Sequence, residues 1–435
     1  MTIILLAAAL TATAATPLQY GAPGTVDAAT VPALSGAPSP FWVDHLPLPG
    51  TLMVTKDCVW IVGKGHLEPA KKGDEYLGEH LRARPETVCI DRNTWTMRLG
   101  APDPSESGHA VEWRDPDALY RFGGTEAAKY ELLGPRQLSP RRATKPVASV
   151  RMFSPQTGTW TSLPDLPAPI AHGQASHAST GAFVVCGEAS RVDSKYGDHG
   201  CFSGDATTGT WTDTGYWMEE NPEHGELALQ DGTLFAIGGL NHHLLASGSE
   251  LPLALAFGAT LDGKRLDAML SAPIRHAGAY RDPVRGAAIA GLGPDGVLAY
   301  ALGPGWADAV QSSNGRKWLD ASSPGAKTAG AWQEVPAPPV PAPLQPDGRP
   351  DLIAGSRVGF GPMYPPAVFR DGEWVSGSPP PIELFEVDAA VVGDTVWVSG
   401  VHFNGDNRDP VILVWNPQAN TWTRPWAGPS LVKAP

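Results

Sequence analysis

The chain has 435 residues, of which 42% are hydrophobic and 18% charged, with a formal net charge of −13. That hydrophobic share supports a packed core and excludes a disordered chain. The 32 basic residues are scattered, with only short clusters such as Lys71-Lys72 and Arg141-Arg142, which excludes a nucleic-acid footprint and leaves the acidity as a solubility feature.

The first 15 residues, Met1 to Ala15, hold an apolar stretch followed by an Ala-x-Ala site at Ala12-Thr13-Ala14. This pattern predicts a secretory signal, although the usual positive n-region is missing. Residues 16–41 read as an N-terminal linker and 42–435 as one repeat domain. No segment is long and apolar enough to predict a transmembrane anchor. The expected compartment is therefore periplasmic or secreted.

From residue 58 onward the chain is punctuated by short apolar runs that end in glycine. They close at Gly63, Gly123, Gly187, Gly238, Gly291, Gly355 and Gly400. The mean period is about 56 residues, close to the repeat length of blade-forming units. Each unit reads as four strands, and the 44 prolines and 49 glycines suit the many turns this requires. The first strand follows a proline-rich turn, as in His109-Ala-Val-Glu-Trp and His224-Gly-Glu-Leu-Ala-Leu. The second is the glycine-terminated run. Asp231-Gly232 and Gly393-Asp394 mark the hairpins between first and second strands. The third leads into a turn such as Ser154-Pro-Gln-Thr-Gly158, and the fourth carries tryptophan. The tryptophans are Trp95, Trp160, Trp211, Trp332, Trp374 and Trp422, with Leu266 in the equivalent place of the fourth unit.

The four cysteines fall on consecutive strands of one unit. Cys58 and Cys89 lie in the first, Cys186 and Cys201 in the third. Neighbouring strands bring such pairs within disulfide reach, so Cys58–Cys89 and Cys186–Cys201 are the expected bridges. No Cys-x2-Cys spacing occurs, and no metal site is assigned.

Together, the second-strand glycines, the linker tryptophans and the Pro-x-x-His-Gly entry resemble the kelch-repeat family over roughly residues 42–426. The resemblance implies an all-β, kelch-type β-propeller of seven four-stranded blades, with six as the fallback count. Distant similarity extends to sialic-acid mutarotase and galactose-oxidase-like propellers. The copper ligands and cysteine–tyrosine link of the latter have no matching motif here, and no cofactor is predicted. Pro341-Ala-Pro-Leu-Gln makes a weak first strand for the sixth unit. Two segments compete to close the ring, around Trp42 and around Trp422. Three stretches exceed the repeat, near 64–85, 125–147 and 304–330. The first is highly charged and has room for a short helix. Insertions on one rim often build a binding surface.

Four histidines share one place in the repeat: His109, His172, His224 and His276, with Glu386 equivalent in the last unit. Their strand starts at the channel mouth of a propeller. Two readings follow. The phased groups form a proton-transfer or metal site, or each histidine serves a structural turn within its blade; the second is simpler. Polar residues after the second-strand glycines form a second candidate set: Glu188, Arg191, Asn241, His242, His402 and Asn404, joined by Glu223 and Glu226. Carboxylates with arginine and histidine suit a sugar or sugar acid. The leading expectation is an exported propeller that binds a protein or glycan ligand through its loop-bearing rim. The alternative is a mutarotase- or epimerase-like enzyme acting on a sugar or sugar acid.

Overall fold

Short apolar runs bounded by glycine, proline and Asx turns do not sustain helices. They pair instead with their chain neighbours, and every described strand pairing is antiparallel. In the computed structural model the described residues are 50–64, 66–72, 75–83, 87–93, 97–101, 103–105, 107–127, 144–177, 181–189, 198–218, 226–230, 233–237, 240–241, 251–260, 265–302, 332–346, 348–361, 363–404, 407–427 and 431–432. No helix occurs among them. The signal, the linker and Trp42 lie outside the described residues, as does most of the second insertion and all of the third.

The first blade contains β1 (Gly50–Val54) and β2 (Cys58–Gly63). A separate hairpin, β3 (His66–Lys72) with β4 (Glu75–Ala83), precedes β5 (Thr87–Asp91) and β6 (Met97–Leu99). The first insertion is thus a β-hairpin where the sequence left room for a helix; strand pairing satisfies its backbone groups. The second blade holds β7 (Val111–Arg114), β8 (Leu119–Ala127), β9 (Thr144–Ser154) and β10 (Thr159–Leu163). The third holds β11 (Ile170–His177), β12 (Phe183–Ala189), β13 (Asp198–Asp205) and β14 (Thr210–Met218).

The fourth and fifth repeats form one eight-stranded sheet. Its strands are β15 (Glu226–Gln230), β16 (Thr233–Ile237), β17 (Leu240–Asn241), β18 (Leu251–Thr260), β19 (Arg265–Asp282), β20 (Gly286–Leu292), β21 (Val297–Leu302) and β22 (Trp332–Val335). The next blade is split between a two-stranded and a three-stranded piece. It contains β23 (Pro343–Leu344), β24 (Leu352–Ile353), β25 (Gly355–Ser356), β26 (Ala367–Arg370) and β27 (Glu373–Ser376). Its first strand, β23, is only two residues long, as the prolines predict. The last blade holds β28 (Phe385–Val392), β29 (Thr395–Asn404), β30 (Asn407–Asn416) and β31 (Thr421–Ala427), with β32 (Leu431–Val432) also on β30.

The described residues therefore form a β-propeller of six blades, with the merged eight-stranded sheet and the split blade each taken as one, the lower of the two expected counts. The reason is local. The 18-residue β19 is the outer strand of the fourth repeat and the inner strand of the fifth, so it merges two repeats into one body.

Packing between blades follows the tryptophans. Trp160 of the second blade reaches Thr87 of the first through Nε1 at 3.2 Å. Trp211 of the third stacks edge-on against Phe122 of the second, with centroids 6.0 Å apart. Trp374 meets Tyr280 of the preceding repeat, and Trp422 meets Phe360 of the blade before it. Each such ring buries on the order of 200 Å², a gross gain of about 5 kcal/mol. Gly123 shows how tightly the inner strands approach: its φ is +61°, and a Cβ there would lie 2.0 Å from the Ile170 carbonyl oxygen of the next blade.

Among the described residues no strand is exchanged between the first and last blades. The outer strand of the last blade is β31, which carries Trp422. Leu52, Val59, Ile61, Val88 and Ile90 of the first blade share one core with Trp397 and Ile412 of the last. Both expected disulfides are present, Cys58–Cys89 with Cα atoms 5.6 Å apart and Cys186–Cys201 at 4.1 Å. Cys186 and Cys201 sit directly opposite on β12 and β13.

Candidate ligand site at the inner-strand mouth

The phased positions share one backbone conformation. His109, His172, His276 and Glu386 have φ of 53°, 48°, 47° and 52°, and Ala342 fills the same place in the split blade at 42°. The register slips there on β11, β19 and β28, so His172, His276 and Glu386 each form a bulge at the start of an inner strand. A left-handed turn costs an L-residue about 1–2 kcal/mol, a cost histidine accepts more readily than branched residues do. The period that aligned these residues thus aligns a left-handed backbone position. Strained positions of this kind often cluster at functional sites.

Two of the phased residues are shown in contact. The His109 and His172 rings stack with centroids 4.3 Å apart, and the His172 amide donates to the His109 carbonyl at 3.1 Å. His224 lies outside the described residues. Among the described residues no group of three or more His, Cys, Asp or Glu is placed to hold a metal ion.

Three residues beyond His109, on β7, Glu112 anchors an ionic network. It accepts from Thr51 Oγ1 at 2.7 Å, from Arg121 Nε at 2.8 Å and from Lys64 Nζ at 3.3 Å. Arg121 continues to Asp103 at 3.0 Å, and Asp103 accepts from Arg151 Nε at 2.6 Å. Arg121, Arg151 and Asp103 are all but fully buried. Arg151 also donates to Ser107 Oγ and the Gly123 carbonyl, both at 2.8 Å, so the segment leading to His109 is braced from below. Lys64 stands half-exposed above the network. Burial alone would raise the Glu112 carboxyl, but Lys64, Arg121 and the Thr51 hydrogen bond outweigh it and bring it down to about 2. Burial also opposes the charge on Arg121, and Glu112 with Asp103 overcomes that and raises it. Arg151 is lowered, by burial and by repulsion from Arg121.

The second candidate set is spread around the same rim. His402 lies on β29, and its Nδ1 sits 2.9 Å from the Glu383 carbonyl oxygen. A carbonyl only accepts, so Nδ1 carries a proton and donates, which fixes the orientation of the ring. Glu188 lies on β12, Glu226 opens β15, and Asn241 and Asn404 end β17 and β29. Arg191, Glu223 and His242 lie outside the described residues.

Sequence reasoning missed Glu112, Arg121, Arg151 and Asp103. The readable signal was an arginine inside each of two apolar runs, Leu119-Tyr-Arg-Phe122 and Val150-Arg-Met-Phe153. A charge at such a place has to be paired or expelled.

No protein-family model matches the chain, and no curated protein matches it. Among solved structures, YjhT is 12% identical, with 86% of this chain and 96% of that one covered, at a TM-score of 0.38. A novel fungal alcohol oxidase of the AA5 family, in complex with copper, is also 12% identical, covering 88% and 74%, at a TM-score of 0.49. At that distance neither neighbour assigns an activity. The fold assignment rests on the strand pairing described above.

Proposed function

We propose that the protein is an exported propeller that binds a protein or carbohydrate ligand at the inner-strand mouth. The observation that carries this is the pinned state of Glu112. Its carboxyl is held ionised by three partners and brought down to about 2, so near neutrality it orients neighbours and moves no protons. A braced, strained mouth beside a half-exposed lysine suits recognition. The two disulfides and the signal-like first 15 residues support export. Incubating the purified protein with a broad glycan array and with secreted or periplasmic extract, followed by cross-linking, tests the reading. Retention of one ligand class by the wild type, with loss in Lys64→Gln, is the expected result. No retained ligand under several salt conditions would end it.

One observation favours the alternative, a mutarotase- or epimerase-like activity on a sugar or sugar acid. His402 is held in a fixed orientation at the rim by its Nδ1 hydrogen bond to the Glu383 carbonyl, as a proton-transfer group has to be. Polarimetry on freshly dissolved sugars checks this. Accelerated mutarotation that falls in His402→Gln would support it, and an uncatalysed rate would sink it.

A further inference from the structure

Two buried donors lie at the seam between the merged fourth and fifth repeats and the split blade. The Tyr280 ring on β19 packs edge-on against the Trp374 ring on β27, with centroids 6.2 Å apart. Tyr280 is only 6% exposed. Its hydroxyl and the Trp374 Nε1 are both buried, and neither has a hydrogen-bond partner among the described residues. Burial, and then the Asp282 carboxylate, push the Tyr280 hydroxyl's pKa up against the pull of Arg285, so the hydroxyl keeps its proton. An indole nitrogen only donates. One contact cluster therefore holds two donors and offers neither a protein acceptor. Burying such groups unpaired is costly.

The floor of the same cluster is made of small side chains. Ala288 and Ala290 on β20 stand opposite Ala301 and Ala299 on β21, and all four are fully buried. Ala288 lies three residues before the repeat glycine Gly291. In the first and last blades that place holds Trp60 and Trp397, each packed against the blade that follows. A methyl group here has far less volume than an indole. Tyr280, paired with Ala288 across the strands, fills part of the difference and brings a polar atom with it. Small walls and two donors are what a buried water needs, whereas a lone polar atom in an apolar core does not hold one. Trp211 is the contrast: its Nε1 also has no acceptor among the described residues, but no second such donor shares its cluster.

We propose that this seam binds one ordered water, which accepts hydrogen bonds from both the Tyr280 hydroxyl and the Trp374 Nε1. The water joins the merged body to a blade whose own ladder is broken into two pieces. The test uses the full chain and the near-isosteric change Tyr280→Phe, made in the wild type and in Trp374→Phe, with urea unfolding as the readout. A shared water loses a partner when the hydroxyl goes, so Tyr280→Phe should raise the unfolding constant of the wild type about fivefold. With Trp374→Phe already in place the water has lost its second donor, and the same change should have little effect. Two unrelated orphan donors give the opposite pattern, because removing an unpaired hydroxyl stabilises the fold. An unfolding constant that falls or stays level in Tyr280→Phe therefore overturns the proposal, as does an equal effect in both backgrounds. A second measurement covers a Trp374→Phe chain that does not fold. In the wild type labelled with nitrogen-15 at the indoles, the Trp374 Nε1 proton should show a nuclear Overhauser cross-peak to water. The Trp422 indole, which donates to the Ser378 carbonyl, should show none. A Trp374 proton without that cross-peak overturns the proposal, and a cross-peak that disappears in Tyr280→Phe supports it.

Discussion

Arg114, on the inner strand of the second blade, forms an ion pair with Asp388 on the inner strand of the last blade, 274 positions later. The same guanidinium donates to the Leu52 and Ala389 carbonyls, and Asp388 accepts from the Leu52 amide at 2.7 Å. Three inner strands, β7, β1 and β28, are thereby tied across the seam where the ring closes. This clamp and the shared core around Leu52 and Trp397 hold the first and last blades together.

Removing one partner of a mostly buried pair strands the other charge. Arg114→Ala is therefore expected to cost about 3–5 kcal/mol, and Asp388→Asn somewhat less because the Leu52 hydrogen bond survives. Denaturant unfolding monitored by tryptophan fluorescence measures both. A double-mutant cycle should show coupling above about 1 kcal/mol; additive losses would mean that the pair does not act as a clamp.

Glu112 makes stability pH-dependent in a defined direction. Its folded-state carboxyl lies at about 2, below the ordinary value of 4.5. The stabilisation is therefore fully present above the ordinary value and is lost as pH falls toward 2. Its size is about 3 kcal/mol. Urea melts of wild type and Glu112→Gln across this range should converge as the solution is acidified. A gap that stays constant with pH would contradict the assignment.

The linker tryptophans should not respond alike. Trp422 is buried, and its Nε1 donates to the Ser378 carbonyl at 2.9 Å. The Trp211 Nε1 is buried without an acceptor among the described residues. Trp422→Phe leaves a carbonyl unsatisfied, whereas Trp211→Phe removes a costly orphan donor. The first substitution should therefore lose about 1–3 kcal/mol more than the second in thermal or denaturant unfolding.

The bridges close loops of 31 and 15 residues. In the chain-entropy account they contribute about 4 and about 3 kcal/mol. Paired serine substitutions, Cys58→Ser with Cys89→Ser and Cys186→Ser with Cys201→Ser, should lower the unfolding midpoint in that order. Intact mass without reductant should show no free thiol.

Much of this molecule is written in its local pattern. A period near 56 residues placed every second strand, because a glycine-terminated apolar run is a local signal that survives in each copy. Strand adjacency within a repeat likewise gave both disulfides, and Trp160, Trp211, Trp374 and Trp422 gave packing between blades. The common place of His109, His172, His276 and Glu386 was legible too, as one repeated left-handed backbone position. Other features depended on residues far apart in the chain. The merging of two repeats through β19 turns on how one strand continues across a boundary, which no local motif encodes. The His109–His172 stack, the Glu112–Arg121–Asp103–Arg151 network and the Arg114–Asp388 clamp join different blades or segments. Charged side chains in strand-forming runs show in sequence only that a partner must exist; ring closure in three dimensions decides which partner it is.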